Sequence, residues 1–336
     1  MNLSSHSTKP SPIFTLVPGT KDEYIFRIDN STLETIQACQ RAGFYYVIER
    51  RTAPGSAALD LGTACHYIEH FYRSGFTNDV LSMVYEKIHT WYSQPNVRTD
   101  ENRHEQNAKQ IVADYFAHYR NTEYLQPIID PNTGQPMVEI PFSIELGTID
   151  FDDVLPASEL KLTGTGSEEY LHVSRIHIHW IGRIDCVPLF QGNPWAMDHK
   201  TASMLGETFW AKFKTSSQMK GYTWALTQSL KRHVPGAIIN VLAVPGSRRK
   251  KIEFHRQPFF YTADDLSEWL EDTKASICDF FSSFHRNHFP PSPCNCLRWY
   301  GLCKYFPVCE LQAQYRLNFL HSNEFDNVTW DPTSER

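Results

Sequence analysis

The sequence predicts an α/β protein, and three observations carry that reading. Some windows repeat apolar residues at helical spacing, others alternate or run continuously apolar over the length of a strand, and the breaks between them are rich in Gly, Pro, Asn and Asp. With 336 residues and 41% hydrophobic content, the chain can bury one large core or two ordinary ones. Its formal net charge of −6 argues against a protein that coats polyanions in general, yet leaves room for a local basic groove. No run of about eighteen apolar residues appears, and residues 1–12 are Ser/Pro-rich without the apolar stretch of a secretory signal. A soluble, cytoplasmic protein with no membrane partner is expected.

In chain order, residues 1–25 read as a poorly ordered arm ending in a short extended piece. Ser31-Thr-Leu-Glu34 is a capping-box pattern followed at helical steps by Leu33, Ile36 and Cys39 or Gln40, so a short helix should carry Cys39 on its last turn and stop at Gly43. Phe44-Tyr45-Tyr46 reads as core packing rather than a platform for bases. Residues 57–74 are helical, with Ala64, Tyr67, Ile68 and Phe71 on one side, Gly75 as a stop, and His66 and Glu69 as i,i+3 neighbours. Taken alone, His66 is an ordinary hydrogen-bonded histidine. Helices over 79–92 and 101–119 supply scaffold.

Alternation then replaces helical spacing. Residues 137–145 form a strand after the turn Asp130-Pro-Asn-Thr-Gly134, residues 150–169 form a polar loop, and residues 170–180 form a second strand with a break of register near Arg175. His177 and His179 share a face of it, which reads as a solvated strand face in preference to a metal pair. Residues 216–230 are an amphipathic helix with Gln218 and Tyr222 four apart, hence on one face. Residues 237–244 are a buried strand, Ser247-Arg-Arg-Lys-Lys251 a basic turn, and 254–261 the returning strand. The turn is either plain surface or a grip on backbone phosphates. A long helix over 263–287 ends before Pro290-Pro-Ser-Pro293, and the last residues from about Asn323 should be poorly ordered.

Chemistry concentrates in residues 182–200. Gly182-Arg-Ile-Asp185 ends one apolar run, Gln191-Gly192-Asn193-Pro194 favours a reversal, and Asp198-His199-Lys200 ends the next run, so a hairpin should bring Asp185 and Asp198 together beside Lys200. Two carboxylates offer hard oxygen ligands for Mg2+ or Mn2+, and an ammonium beside them suits an attacked phosphate. The eight cysteines are uneven: Cys39, Cys65, Cys186 and Cys278 are scattered, while Cys294, Cys296, Cys303 and Cys309 crowd one segment. In an intracellular protein that crowding points to metal ligation more than to disulfides. Cys65, Cys186 and Cys278 read as buried small apolar residues.

The ordered set of His66, Asp185, Asp198-His199-Lys200, and Gln218 with Tyr222 resembles the RecB/Cas4-like branch of the PD-(D/E)XK nuclease superfamily, including its phage-type exonucleases. The resemblance covers residues 30–310. It implies a restriction-endonuclease-like core, a central mixed β-sheet flanked by helices, within a nuclease domain over 26–310: a helical part at 57–125, a sheet core carrying the active site at 135–262, and a long helix with the cysteine segment at 263–310. Residues 311–336 would be a tail. It also implies that Asp185, Asp198, the carbonyl of His199 and an imidazole nitrogen of His66 hold Mg2+ or Mn2+, that Lys200 stabilises developing negative charge, and that Gln218 and Tyr222 orient Lys200 or the substrate strand. Asp198 departs from the glutamate of many relatives and reaches less far, which bears on metal preference and rate.

The cysteines extend the resemblance. Branch members with a [4Fe–4S] cluster take one ligand from an early helix and three from near the C-terminus, which implies Cys39 with Cys296, Cys303 and Cys309 and joins the two ends of the domain. The rival is structural Zn2+ held by Cys294, Cys296, Cys303 and Cys309. The implied function is hydrolysis of DNA phosphodiester bonds by an exonuclease of recombination, repair or phage DNA processing, acting on single strands or free ends in a bacterial or phage-infected cell, with a DNA-processing protein as a possible partner. The alternative is a nuclease-like DNA-binding or assembly factor with an inert site.

Overall fold

The computed structural model describes residues 13–151, 158–162, 169–244, 251–298 and 301–328. In chain order it contains β1 (Phe14–Leu16), β2 (Glu23–Ile28), α1 (Asn30–Ala38), α2 (Ala57–His66), α3 (Glu69–Ser74), α4 (Asn78–Tyr92) and α5 (Glu105–Tyr119). There follow β3 (Val138–Asp150), β4 (Ser158–Leu162), β5 (Glu169–Val173), β6 (Arg175–Cys186) and β7 (Ala196–Ala202). The remainder is α6 (Glu207–Lys214), α7 (Ser217–Leu230), β8 (Gly236–Ala243), β9 (Glu253–Phe260), α8 (Ala263–His285) and α9 (Ala313–Leu320), with a few shorter pieces. This is an α/β fold with a mixed sheet and flanking helices. Two compact units share the chain, one from Met1–Pro54, Phe142–Gly182 and Ser267–Arg336, the other from Gly55–Pro141 and Arg183–Leu266. No helix among the described residues is long and apolar enough to cross a membrane.

The first unit uses more of the N-terminus than the sequence suggested. Tyr24, Phe26 and Ile28 alternate into the core, so β2 pairs parallel with β6, from Glu23↔Arg175 to Ile28↔Trp180, and β1 adds antiparallel to β2. The extended piece expected at the end of the arm is thus two strands of the sheet, and residues 1–12 lie outside the described residues. The long helix packs there through Phe281, edge-on to Phe26 at 5.2 Å, and Trp269, edge-on to Trp180 at 5.3 Å. α1 starts two residues earlier than the capping box implied, because Asp29 accepts a hydrogen bond from the Thr32 N–H at 2.9 Å and caps the helix itself. Tyr45 and Tyr46 are buried, as packing residues should be.

Two further expectations change in this unit, at residues 150–169 and in the C-terminal stretch, while the break near Arg175 is found where it was expected. The polar stretch 150–169 holds β4, which pairs antiparallel with β5, so part of the expected loop is a hairpin. The break near Arg175 is the gap between β5 and β6, where the Ser174 N–H bonds the Asp22 carbonyl at 2.9 Å. His177 is bonded to Glu23 at 3.0 Å and Glu145 at 3.3 Å, ion-pair geometry that takes it out of any two-histidine metal site. The C-terminal stretch also folds. Leu320 and Phe325 are buried, His321 reaches Glu49 at 2.7 Å, and Asp326–Asn327 pairs with Arg51–Thr52. Residues 329–336 lie outside the described residues.

The second unit packs α2 to α5 against β7 and β8 through Leu61, Ala64, Phe71, Ile88, Ile111 and Leu242. The single helix expected over 57–74 is two. At Tyr67 and Ile68 the turn tightens to i→i−3 bonds, and the tighter turn carries Glu69 and His70 inward, where both are buried. The expected hairpin of 182–200 is also more elaborate. β6 meets β7 antiparallel at Met197↔Cys186, while Leu189–Phe190 and Asn193–Pro194 form a small hairpin of their own. Its turn uses Gln191 and Gly192, both left-handed at φ 50° and 75°. β7 runs parallel to β8, with Asp198↔Ile239 and His199↔Asn240, and β9 returns antiparallel. The α6–α7 crossover that joins β7 to β8 is what a parallel pair requires. Residues 245–250 of the basic turn lie outside the described residues.

Candidate metal centre and catalytic site

The second unit gathers the acidic residues at one place. Ser56 caps α2 by accepting from the Leu59 N–H, and the helix runs to His66 in its last turn. There His66 Nδ1 stands 3.6 Å from Asp185 Oδ2, and the same oxygen accepts the His199 N–H at 2.7 Å. Glu139 joins from the second residue of β3, where its backbone is left-handed at φ 56°, a strained setting for a side chain with a Cβ. One ligand atom each from His66, Glu139 and Asp185 lie within 4.8 Å of one another. Arg183 braces Glu139 by donating to its carbonyl at 3.3 Å and lying 3.7 Å from its carboxylate.

Asp198 and Lys200 are two apart on β7, hence on one face. Lys200 Nζ lies 2.7 Å from Asp198 Oδ2 and donates to Gln218 Oε1 at 3.1 Å. The amide nitrogen of Gln218 donates to Asp198 Oδ1 at 3.4 Å and to the Tyr222 hydroxyl at 3.0 Å. One helical turn of α7 thus bridges the carboxylate and the ammonium and is itself steadied from the next turn.

Burial and like charge set the protonation here. Asp185 is held well above the usual carboxylate range, first by burial and then by the charges of Asp198 and Glu139, against the pull of the His199 N–H and Lys200. Glu69 is pushed up to about 9 by burial, by its hydrogen bond to Glu139 and by the charges of Glu139 and Asp185. His199 is held well below the usual imidazole range, chiefly by burial and then by His66, Arg256 and Lys200, so its ring is neutral. These are carboxylates crowded as they would be around a cation.

The first unit collects the cysteines. Cys39 lies in extended backbone between α1 and the short helix Gln40–Gly43, and the Ser292 N–H points at its sulfur from 3.4 Å. Cys39, Cys296, Cys303 and Cys309 line one cavity with Pro291 and Tyr305. Cys294 is exposed and is not among the lining residues.

Residues 30–310 match the profile of the PD-(D/E)XK nuclease superfamily. The chain belongs to that superfamily. No curated protein matches it. Among solved structures, a protein from Eubacterium rectale that carries the provisional name of an exonuclease is similar at a TM-score of 0.45 and 12% identity, over 79% of this chain and 84% of that one.

As a PD-(D/E)XK chain it brings together the residues that the sequence singled out: His66 with Asp185, and Asp198, Lys200, Gln218 and Tyr222 in one hydrogen-bonded set. Glu139 and Glu69 were missed. A lone glutamate one residue before Ile140-Pro141 in an otherwise apolar strand start was the available signal for the first, and the i,i+3 step from His66 for the second. Also missed was the buried set behind His199, for which Asn240 inside the apolar run 236–243 was the cue.

Proposed function

We propose that the protein is a metal-dependent DNA nuclease of the RecB/Cas4-like branch, an exonuclease that hydrolyses phosphodiester bonds in recombination, repair or phage DNA processing. The observation that carries this is the joint presence of two clusters in one unit: His66, Glu139 and Asp185 with ligand atoms within 4.8 Å, and Asp198, Lys200 and Gln218 in mutual hydrogen bonds. The donor set fits Mg2+ or Mn2+, being carboxylate oxygens with one imidazole. His66, Glu139, Asp185 and Asp198, with the His199 carbonyl, would hold the ion. When bound, the ion supplies a Lewis acid for the phosphate and lowers the pKa of the attacking water.

The chain's own residues do the rest. Lys200, pinned between Asp198 and Gln218, keeps its ammonium fixed where negative charge develops, so no reorganisation is needed as the phosphate is attacked. Tyr222 holds the Gln218 amide and thereby the pair. In the first unit, we propose that Cys39, Cys296, Cys303 and Cys309 ligate a [4Fe–4S] cluster. Their common cavity and the N–H directed at the Cys39 sulfur support this set, and the exposure of Cys294 counts against the zinc alternative built on it.

The decisive assay uses end-labelled single- and double-stranded DNA with Mg2+ or Mn2+. Asp198→Ala and Lys200→Ala should each abolish cleavage while circular dichroism stays unchanged. Full activity in both variants rejects the site assignment, and a wild-type protein that binds DNA without cutting it in either metal rejects the nuclease reading.

A further inference from the structure

Behind β7 lies a buried polar chain that the reading above does not use. Asn240 is fully buried. Its Oδ1 accepts Arg256 Nε at 3.1 Å, and a guanidinium has only donors, so the amide nitrogen is the atom turned the other way. That nitrogen lies 2.8 Å from His199 Nδ1 and 2.9 Å from the Tyr115 hydroxyl, which uses both amide hydrogens. Arg256 is fixed in turn. It donates to both oxygens of Glu123 at 2.8 and 2.6 Å and to the Tyr72 hydroxyl at 2.6 Å, with its plane 3.7 Å over the Tyr119 ring. Both charges of the pair are nearly inaccessible, with 6% and 4% of their side chains exposed.

The consequence falls on His199. Its Nδ1 receives a hydrogen bond, so the ring proton sits on Nε2. Nε2 is buried without a hydrogen-bond partner among the described residues. The ring is stacked on Tyr72 at 5.5 Å and stands edge-on to His66 at 6.0 Å, the histidine beside Asp185. The backbone of the same residue already holds Asp185 through its N–H. Imidazole ligation of a metal by His199 is excluded by this arrangement, since one ring nitrogen is bonded and the other carries the proton.

We propose that the Glu123–Arg256–Asn240 chain fixes His199 as the Nε2–H tautomer and so positions the residue whose backbone N–H holds Asp185. The proposal rests on the nuclease reading for its purpose but not for its geometry. Histidine-labelled protein, studied by two-bond nitrogen–carbon-proton correlation with the His199 signal identified by its loss in His199→Gln, reports the tautomer directly. A protonated Nε2 with a bare Nδ1 is expected in the wild type; the reverse tautomer, or a doubly protonated ring at neutral pH, overturns the proposal.

Asn240→Asp offers acceptors alone and draws the proton to Nδ1. Its kcat on DNA should fall at least tenfold, with KM within about twofold and Mn2+ affinity retained. A moved proton with unchanged kcat overturns the positioning role. If the wild type cuts no DNA while the tautomer is as stated, the nuclease reading fails and the tautomer assignment stands.

Discussion

Glu69 and Glu139 are two buried carboxyls joined by a hydrogen bond, and one of them keeps its proton to about pH 9. In the unfolded chain a glutamate releases that proton near pH 4.5, so between those values the folded state binds more protons than the unfolded one. The sign follows: the metal-free protein loses stability as pH rises from about 4.5 towards about 9. Thermal melts should show a midpoint that falls across that interval, and Glu69→Gln, which cannot ionise, should flatten the slope. A divalent cation takes the proton's place between carboxylates. Mn2+ should therefore raise the midpoint more at pH 8 than at pH 6, and chelation should reverse the gain. Equal stabilisation at both pH values would mean that the ion does not engage these carboxylates.

At the scale of elements, the register of β8 with β9 holds the site together from behind, because it sets Asn240 opposite Arg256. Gly236 makes that register possible. A Cβ there would stand 1.9 Å from the Phe259 carbonyl oxygen, a backbone atom that cannot step aside. Gly236→Ala should cost on the order of 1–3 kcal/mol by forcing the strands apart, seen as a lower urea midpoint, and should reduce cleavage by loosening the Asn240–Arg256 contact. Wild-type stability in that variant would show that the strand end yields freely. The same elements mark what the sequence reveals. β8 and α7 are legible because one is continuously apolar and the other strictly periodic, and their residues Gln218 and Tyr222 follow at once. β1 and β4 are not, being short or polar, with stability that comes from the strand each pairs with. Glu139 escapes for a related reason. Its role depends on a left-handed residue at the start of a strand, which no periodicity encodes.

At the scale of the whole chain, one long-range pairing joins Cys39 to a segment more than 250 positions later, where the Ser292 N–H meets its sulfur. Such a contact costs loop-closure entropy that one hydrogen bond does not offset, which is the situation in which a covalent or metal staple contributes most. Four thiolates around one cavity can hold about four irons and as many sulfides. Protein purified without oxygen should accordingly be brown, with broad visible absorption and iron and sulfide in equal amounts. Cys39→Ser and Cys303→Ala should each lose the colour and melt at lower temperature, since each thiol lines the cavity and would be a ligand of the proposed cluster. Cys294→Ala should keep it, because that thiol is exposed and does not line the cavity. A colourless protein with one zinc per chain, released only when Cys294 is replaced, would instead assign the segment to zinc and leave Cys39 as a packing residue.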